Sequence, residues 1–202
     1  MRTQSQSNTR YQELDALRGI AALLVVFFHF TSGKPQYNSF FKLGTTGVDL
    51  FFIISGFVIF MSLQKISRSS DFVINRISRL YPTYWACVTL TFILVVSHSS
   101  INHIGNYNDL IISYLGNLTM FQFYLKIPNL DGPYWTLIIE MLFYIGIYIL
   151  YRLKCINYLN IIGILICLTV VIMTQYFYDI TAVRKIISGI PLLQFIPLFL
   201  AG

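Results

Sequence analysis

Few residues in this chain can do chemistry, and their positions are informative. Arg18 and His29 lie eleven positions apart in one apolar stretch, LDALRGIAALLVVFFHF. On an α-helix that separation turns through about 1100°, three turns plus roughly 20°, and rises about 16 Å. Both side chains therefore share one helix face, with Arg18 at one membrane boundary and His29 toward the bilayer middle. Glu140, in PYWTLIIEMLFYIG, enters its own stretch from the opposite side and reaches about 10 Å in, near the level of His29. An imidazole is a usable general base because its reference pKa is near neutrality, and a neighbouring carboxylate fixes its tautomer and stabilises the imidazolium. A guanidinium further down the same face suits forked, charge-assisted hydrogen bonds to phosphate. This layout joins a phosphate-bearing donor on one side of a membrane to proton transfer within it.

The composition requires such a membrane. Only 11% of the 202 residues are charged while 56% are hydrophobic, against about 25% charged in globular domains. With a mean hydropathy of +0.67, the chain cannot cover a water-facing surface, which excludes a disordered chain, a basic nucleic-acid-binding tail and an ordinary soluble enzyme. Ionisable groups inside hydrocarbon cost several kcal/mol unless they face a cavity or a partner, so each one is a site candidate. The net charge of +6 reflects the Lys and Arg that collect in cytoplasmic loops and does not imply nucleic acid.

A spanning helix needs about 20 mostly apolar residues. Such stretches run over 14–33, 46–64, 82–98, 133–152 and 158–178, and a sixth begins near Ile190 and stops at Gly202. The expected fold is all-α, a polytopic transmembrane bundle of five to six spans that is part of a larger one. The stretch 110–125 is apolar but interrupted by Gly116 and Asn117, which predicts a re-entrant or interfacial element. With the N-terminus inside, nine basic residues fall in the cytoplasm (Arg2, Arg10, Arg18, Lys65, Arg68, Arg76, Arg79, Arg152 and Lys154) and five outside (Lys34, Lys42, Lys126, Arg184 and Lys185). That excess favours an N-in topology. Residues 1–11 are polar and expected to be disordered, with one membrane domain over 12–202. The first span is no cleaved signal peptide, since it opens on the charged LDALRG and lacks a small-residue cleavage pattern.

In the segment FVINRISRLYPTYW, Arg76 and Arg79 are three apart and predicted to face the same way on a helix that Pro82 ends before the third span. They are candidates for holding donor phosphates, beside the plainer reading of a basic loop on anionic headgroups. Arg18 as a snorkelling anchor, His29 as an interhelical donor and Glu140 as a counter-charge are the corresponding plain readings. Asp49, near the outer end of the second span, is a pocket candidate or a cap for its helix. Ser55 and Gly56 allow close helix packing; without a GxSxG elbow, Ser55 is a weak nucleophile candidate. Tyr81 and Trp135 complete the residues expected to line a pocket. His98 and His103 lack a third ligand in sequence, and Cys87, Cys155 and Cys167 have no paired spacing, so no metal site and no disulfide framework are expected.

At these residues the chain resembles the integral-membrane acyltransferase 3 family, which contains O-acetyltransferases of bacterial surface polysaccharides. The matching pieces, in order, are LDALRGIAALLVVFFHF, GVDLFFIISGFVIF, FVINRISRLYPTYW, the NLTMFQ segment and PYWTLIIEMLFY. Their number and order make the resemblance specific, from about Leu14 to the C-terminus. It implies that Arg18 and His29 match the family's essential Arg and His, Arg76 and Arg79 its arginine pair, and Glu140 its carboxylate in the Trp-containing span. Two departures stand out: the family's membrane domain continues where this chain stops at FIPLFLAG, suggesting a fragment, and Thr136 stands where many relatives have Ser.

The resemblance implies transfer of a short acyl group, acetyl above all, from cytoplasmic acyl-CoA to a hydroxyl of a cell-surface or lipid-linked glycan, in the plasma membrane of a bacterium. Arg18, Arg76 and Arg79 would hold the donor. His29 would deprotonate the acceptor hydroxyl or carry the acyl group as an acyl-imidazole, with Glu140 orienting it. No bound cofactor is expected; acyl-CoA is a substrate, and the glycan and the lipid bilayer are the remaining partners. The alternatives are a transporter or flippase that uses His29 and Glu140 as a proton relay, and an inactive fragment.

Overall fold

The computed structural model describes residues 12–31, 44–63, 69–102 and 107–202. The polar N-terminal segment 1–11 lies outside the described residues, as do Lys34, Lys42, Lys65, Arg68 and His103. Eight α-helices follow in order among the described residues: α1 (Gln12–Thr31), α2 (Thr46–Leu63), α3 (Ser69–Asn102), α4 (Tyr107–Leu118), α5 (Tyr134–Arg152), α6 (Leu159–Tyr176), α7 (Thr181–Gly189) and α8 (Leu192–Ala201). No strand occurs among them, as the all-α expectation required.

Five helical stretches are long and apolar enough to cross a membrane: Glu13–Thr31, Thr46–Leu63, Ser69–His98, Tyr134–Arg152 and Ile156–Tyr176. A sixth span arises if α7 and α8, bent by 54° at their junction, count as one broken span. Leu165, Leu168, Val171 and Ile172 of α6 all lie more than a third exposed, which suits contact with acyl chains and would waste apolar surface in water. The chain is a multi-pass membrane protein. The 12 residues of α4 rise only about 18 Å, too little to cross about 30 Å of hydrocarbon. The break expected at Gly116 and Asn117 is thus the C-terminal end of a short helix.

Pro82 does not end a helix, contrary to the sequence reading. It lies inside α3, which runs unbroken for 34 residues. Proline removes one backbone donor and crowds the preceding turn, but helices in a membrane tolerate it where neighbouring groups hold the segment. Here the residues on either side of Pro82 are clamped: Tyr81 donates to the Thr119 carbonyl (3.1 Å), Tyr84 to that of Asn117 (2.7 Å) and the Trp85 indole to that of Leu118 (2.9 Å). Those acceptors lie at and just past the end of α4, where i+4 helical donors run out, and the Asn117 carbonyl also takes the Met120 amide (3.0 Å). The Gly116 carbonyl takes both the Thr119 hydroxyl (2.7 Å) and the Thr119 amide (3.3 Å). One face of α3 therefore caps a helix that stops short inside the membrane protein.

The described residues fall into two compact units, one made of those up to Val58 with 198–202 and the other of those from Ile59 to Pro197. In the first, an added Cβ at Gly56 would run into the Phe199 backbone, so only glycine admits this approach of α2 and α8. In the second, Phe72, Tyr84, Val88, Met120, Tyr134 and Tyr144 are among the residues of one buried cluster. α5 ends in a left-handed cap: Lys154 has φ 58, while the Lys154 and Cys155 amides bond back to the Tyr151 (3.1 Å) and Leu150 (2.9 Å) carbonyls.

Candidate active site

In the first unit, the glycines at the start of α2 identify the face of α1 that packs there. An added Cβ at Gly44 would meet Phe28 and Leu24, and one at Gly47 would meet Ala21, Val25 and Leu24. Arg18 and His29 lie along one edge of that stripe, roughly 80° around α1 from its centre. Arg18 is half-exposed and His29, in the last described turn, is exposed on its unit. The His29 Nδ1 lies 2.8 Å from the Val25 carbonyl oxygen. A carbonyl can only accept, so Nδ1–H is the donor and the neutral ring carries its basic lone pair on Nε2. The sequence reading gave the choice of tautomer to Glu140; the helix backbone already makes it. Asp49 sits half-buried in the first turn of α2, where its charge complements the helix dipole. Ser55 is buried beside Gly56 at the close contact described above.

In the second unit, Glu140 is half-buried on α5 and accepts a short hydrogen bond from the Tyr144 hydroxyl one turn later. Tyr144 is 5% exposed, and its ring meets Phe72 edge-on at 6.2 Å. The Arg76 guanidinium carbon lies 5.5 Å from the Phe72 ring centre and 5.6 Å from that of Tyr144. Arg76 also donates to the Ser62 hydroxyl, while its Nε has no hydrogen-bond partner. The arginine pair differs in burial, although both guanidinium groups act electrostatically on Tyr144. Arg76 is 7% exposed and turned inward, whereas Arg79 is exposed. Three positions leave about 60° between side chains, enough to put one in the core and the other outside when the boundary falls between them.

Tyr81 and Trp135, the other pocket candidates, have different surroundings. Tyr81 packs edge-on against Trp85 at 5.4 Å and caps Thr119, and Trp135 lies against Phe195 at 5.6 Å.

The sequence profile described as "Acyltransferase domain" matches residues 11–202. The chain belongs to this acyltransferase family. It is similar to a protein of Acidianus two-tailed virus named as an acetyltransferase, ORF330, at 28% identity over 91% of this chain and 52% of that protein. It is similar also to the O-acetyl transferase of Shigella phage Sf6, at 28% identity over 65% of this chain and 43% of the relative. A protein of Komagataeibacter xylinus named as a membrane-bound transacylase, BcsY, is 31% identical over 70% of the chain and 37% of its own length. The chain thus spans about half the length of these curated relatives, or less. No solved structure gives a significant match.

Within this acyltransferase chain, Arg76 and Glu140 come together through Tyr144, a residue the sequence reading passed over. Its signal was present: Tyr144 follows Glu140 by four positions, the spacing that puts two side chains side by side on a helix. Asn117 and Gln122 are the polar ends of NLTMFQ. Asn117 is 0% exposed, donating to Ser113 (2.8 Å) and Pro128 (2.9 Å) and accepting from the Leu130 amide (3.2 Å), while Gln122 donates to Asn129 (2.8 Å).

Proposed function

We propose that the protein transfers a short acyl group, acetyl in the first instance, from cytoplasmic acyl-CoA to a hydroxyl of a cell-surface or lipid-linked glycan. Membership of the acyltransferase family, joined to an Arg18 and His29 line along one edge of α1, is the observation that carries this reading. His29 offers Nε2 as the proton acceptor because Nδ1–H is committed to the Val25 carbonyl. In direct transfer, Nε2 takes the acceptor hydroxyl proton as that oxygen attacks the thioester carbonyl, and the CoA thiolate leaves. In the two-step route, Nε2 attacks first, expels the thiolate and passes the acyl group on to the sugar. The resemblance gives Glu140 the role of companion carboxylate. Arg18 and the exposed Arg79 present guanidinium forks to the donor's phosphates, with Arg76 on the inner side of the same helix. The basic residues favour a cytoplasmic N-terminus, and the family resemblance implies a bacterial plasma membrane as the setting.

The test is His29→Ala in the full-length membrane protein, supplied with labelled acetyl-CoA and scored for ester-linked acetate on glycan. General-base catalysis contributes about 10²- to 10⁴-fold, so turnover should fall by at least 100-fold. Unchanged acetylation would remove His29 from the chemistry and the proposal with it.

A further inference from the structure

We propose that Tyr144 is a positioning residue for acyl transfer, holding the Glu140 carboxylate by its hydroxyl while its ring rests against the Arg76 guanidinium. The inference rests on the reading of Glu140 as the catalytic carboxylate and adds the group that fixes it.

A glutamate side chain has three rotatable bonds and gives up considerable freedom when ordered, so a carboxylate that acts in catalysis needs a fixed orientation. Tyr144 supplies one from the adjacent turn of the same helix, with its O–H on Glu140 Oε1. The phenol is itself immobile, being buried with its ring edge-on to Phe72. Arg76 completes the arrangement. Its guanidinium faces both Phe72 and Tyr144 and is tethered to Ser62, with Nε left without a hydrogen bond. A cation over the ring draws electron density from it and makes the phenol a stronger donor to the carboxylate. The order guanidinium, aromatic ring, hydroxyl, carboxylate alternates charge and dipole favourably across the second unit. It also gives the buried Arg76 a part distinct from donor binding: Arg76 acts on Glu140 through Tyr144.

The experiment is Tyr144→Phe in the full-length membrane protein, with labelled acetyl-CoA as the donor and rates expressed per folded protein. Phenylalanine keeps the ring against Arg76 and Phe72 and loses only the hydrogen bond to Glu140. A bond to a charged group corresponds to a rate loss of about 10- to 100-fold. That loss should appear in kcat, with KM for acetyl-CoA within about twofold of the parent. A parental kcat in Tyr144→Phe, or a KM that rises as much as kcat falls, would overturn the proposal. Glu140→Gln run in parallel separates the two levels. A crippled Glu140→Gln beside a fully active Tyr144→Phe removes Tyr144 alone, whereas a fully active Glu140→Gln removes the catalytic reading of Glu140 as well.

Discussion

Replacing Asn117 by alanine deletes three hydrogen bonds at one fully buried point. The side-chain amide donates to the Ser113 and Pro128 carbonyls and its oxygen accepts from the Leu130 amide, so one residue ties the end of α4 to the returning segment before α5. At about 1 kcal/mol net per bond the loss is about 3 kcal/mol, or roughly 100-fold in the opening equilibrium of this hairpin. Asn117→Asp is the sharper variant. It keeps the acceptor for Leu130 but sets a carboxylate against two carbonyl oxygens at a fully buried position, so it should cost more than alanine despite the closer shape. Tyr84→Phe removes the bond to the Asn117 backbone carbonyl and the one to the Gln122 side chain and should cost about 1–2 kcal/mol. Amide hydrogen exchange on the detergent-solubilised protein, followed over residues 119–133, reads these differences directly. Parental protection in Asn117→Ala, or an Asn117→Asp hairpin more protected than the alanine variant, would refute the reasoning.

Two further outcomes follow from the geometry. Gly56→Ala should lower thermal stability more than Gly116→Ala, because the new methyl meets the Phe199 backbone in the first case and the terminal methyl of Ile127 in the second. Overpacking of this kind costs about 1–3 kcal/mol where nothing can move, and equal melting shifts would count against it. Arg79→Ala should raise KM for acetyl-CoA without loss of folded protein, since Arg79 is exposed, and Arg18→Lys should weaken donor binding because an ammonium cannot fork to a phosphate. Steady-state kinetics in membranes checks both.

Much of the fold was legible because spanning a bilayer is a constraint on composition and length. A run such as GVDLFFIISGFVIF has no stable place except a helix in hydrocarbon, and α2 runs from Thr46 to Leu63. The same-face relation of Arg18 and His29 was legible too, since both lie on one helix and need only its pitch. Pro82 was misjudged because its local cost was read without the clamp from the end of α4, which lies 33 or more positions away in sequence. That Arg76 is buried and Arg79 exposed was not legible, because spacing gives their angular separation but not where the buried boundary falls.

By itself, then, the chain's pattern of apolar lengths and motif order determined a multi-pass helical protein of the acyltransferase family, because hydrocarbon admits few backbone solutions and each span is settled locally. Only the tertiary structure decided which carbonyls Tyr81, Tyr84 and Trp85 satisfy, that Arg76 turns inward, and that Tyr144 stands between it and Glu140. Those contacts join residues from different helices, and no helical period encodes which helix lies next to which.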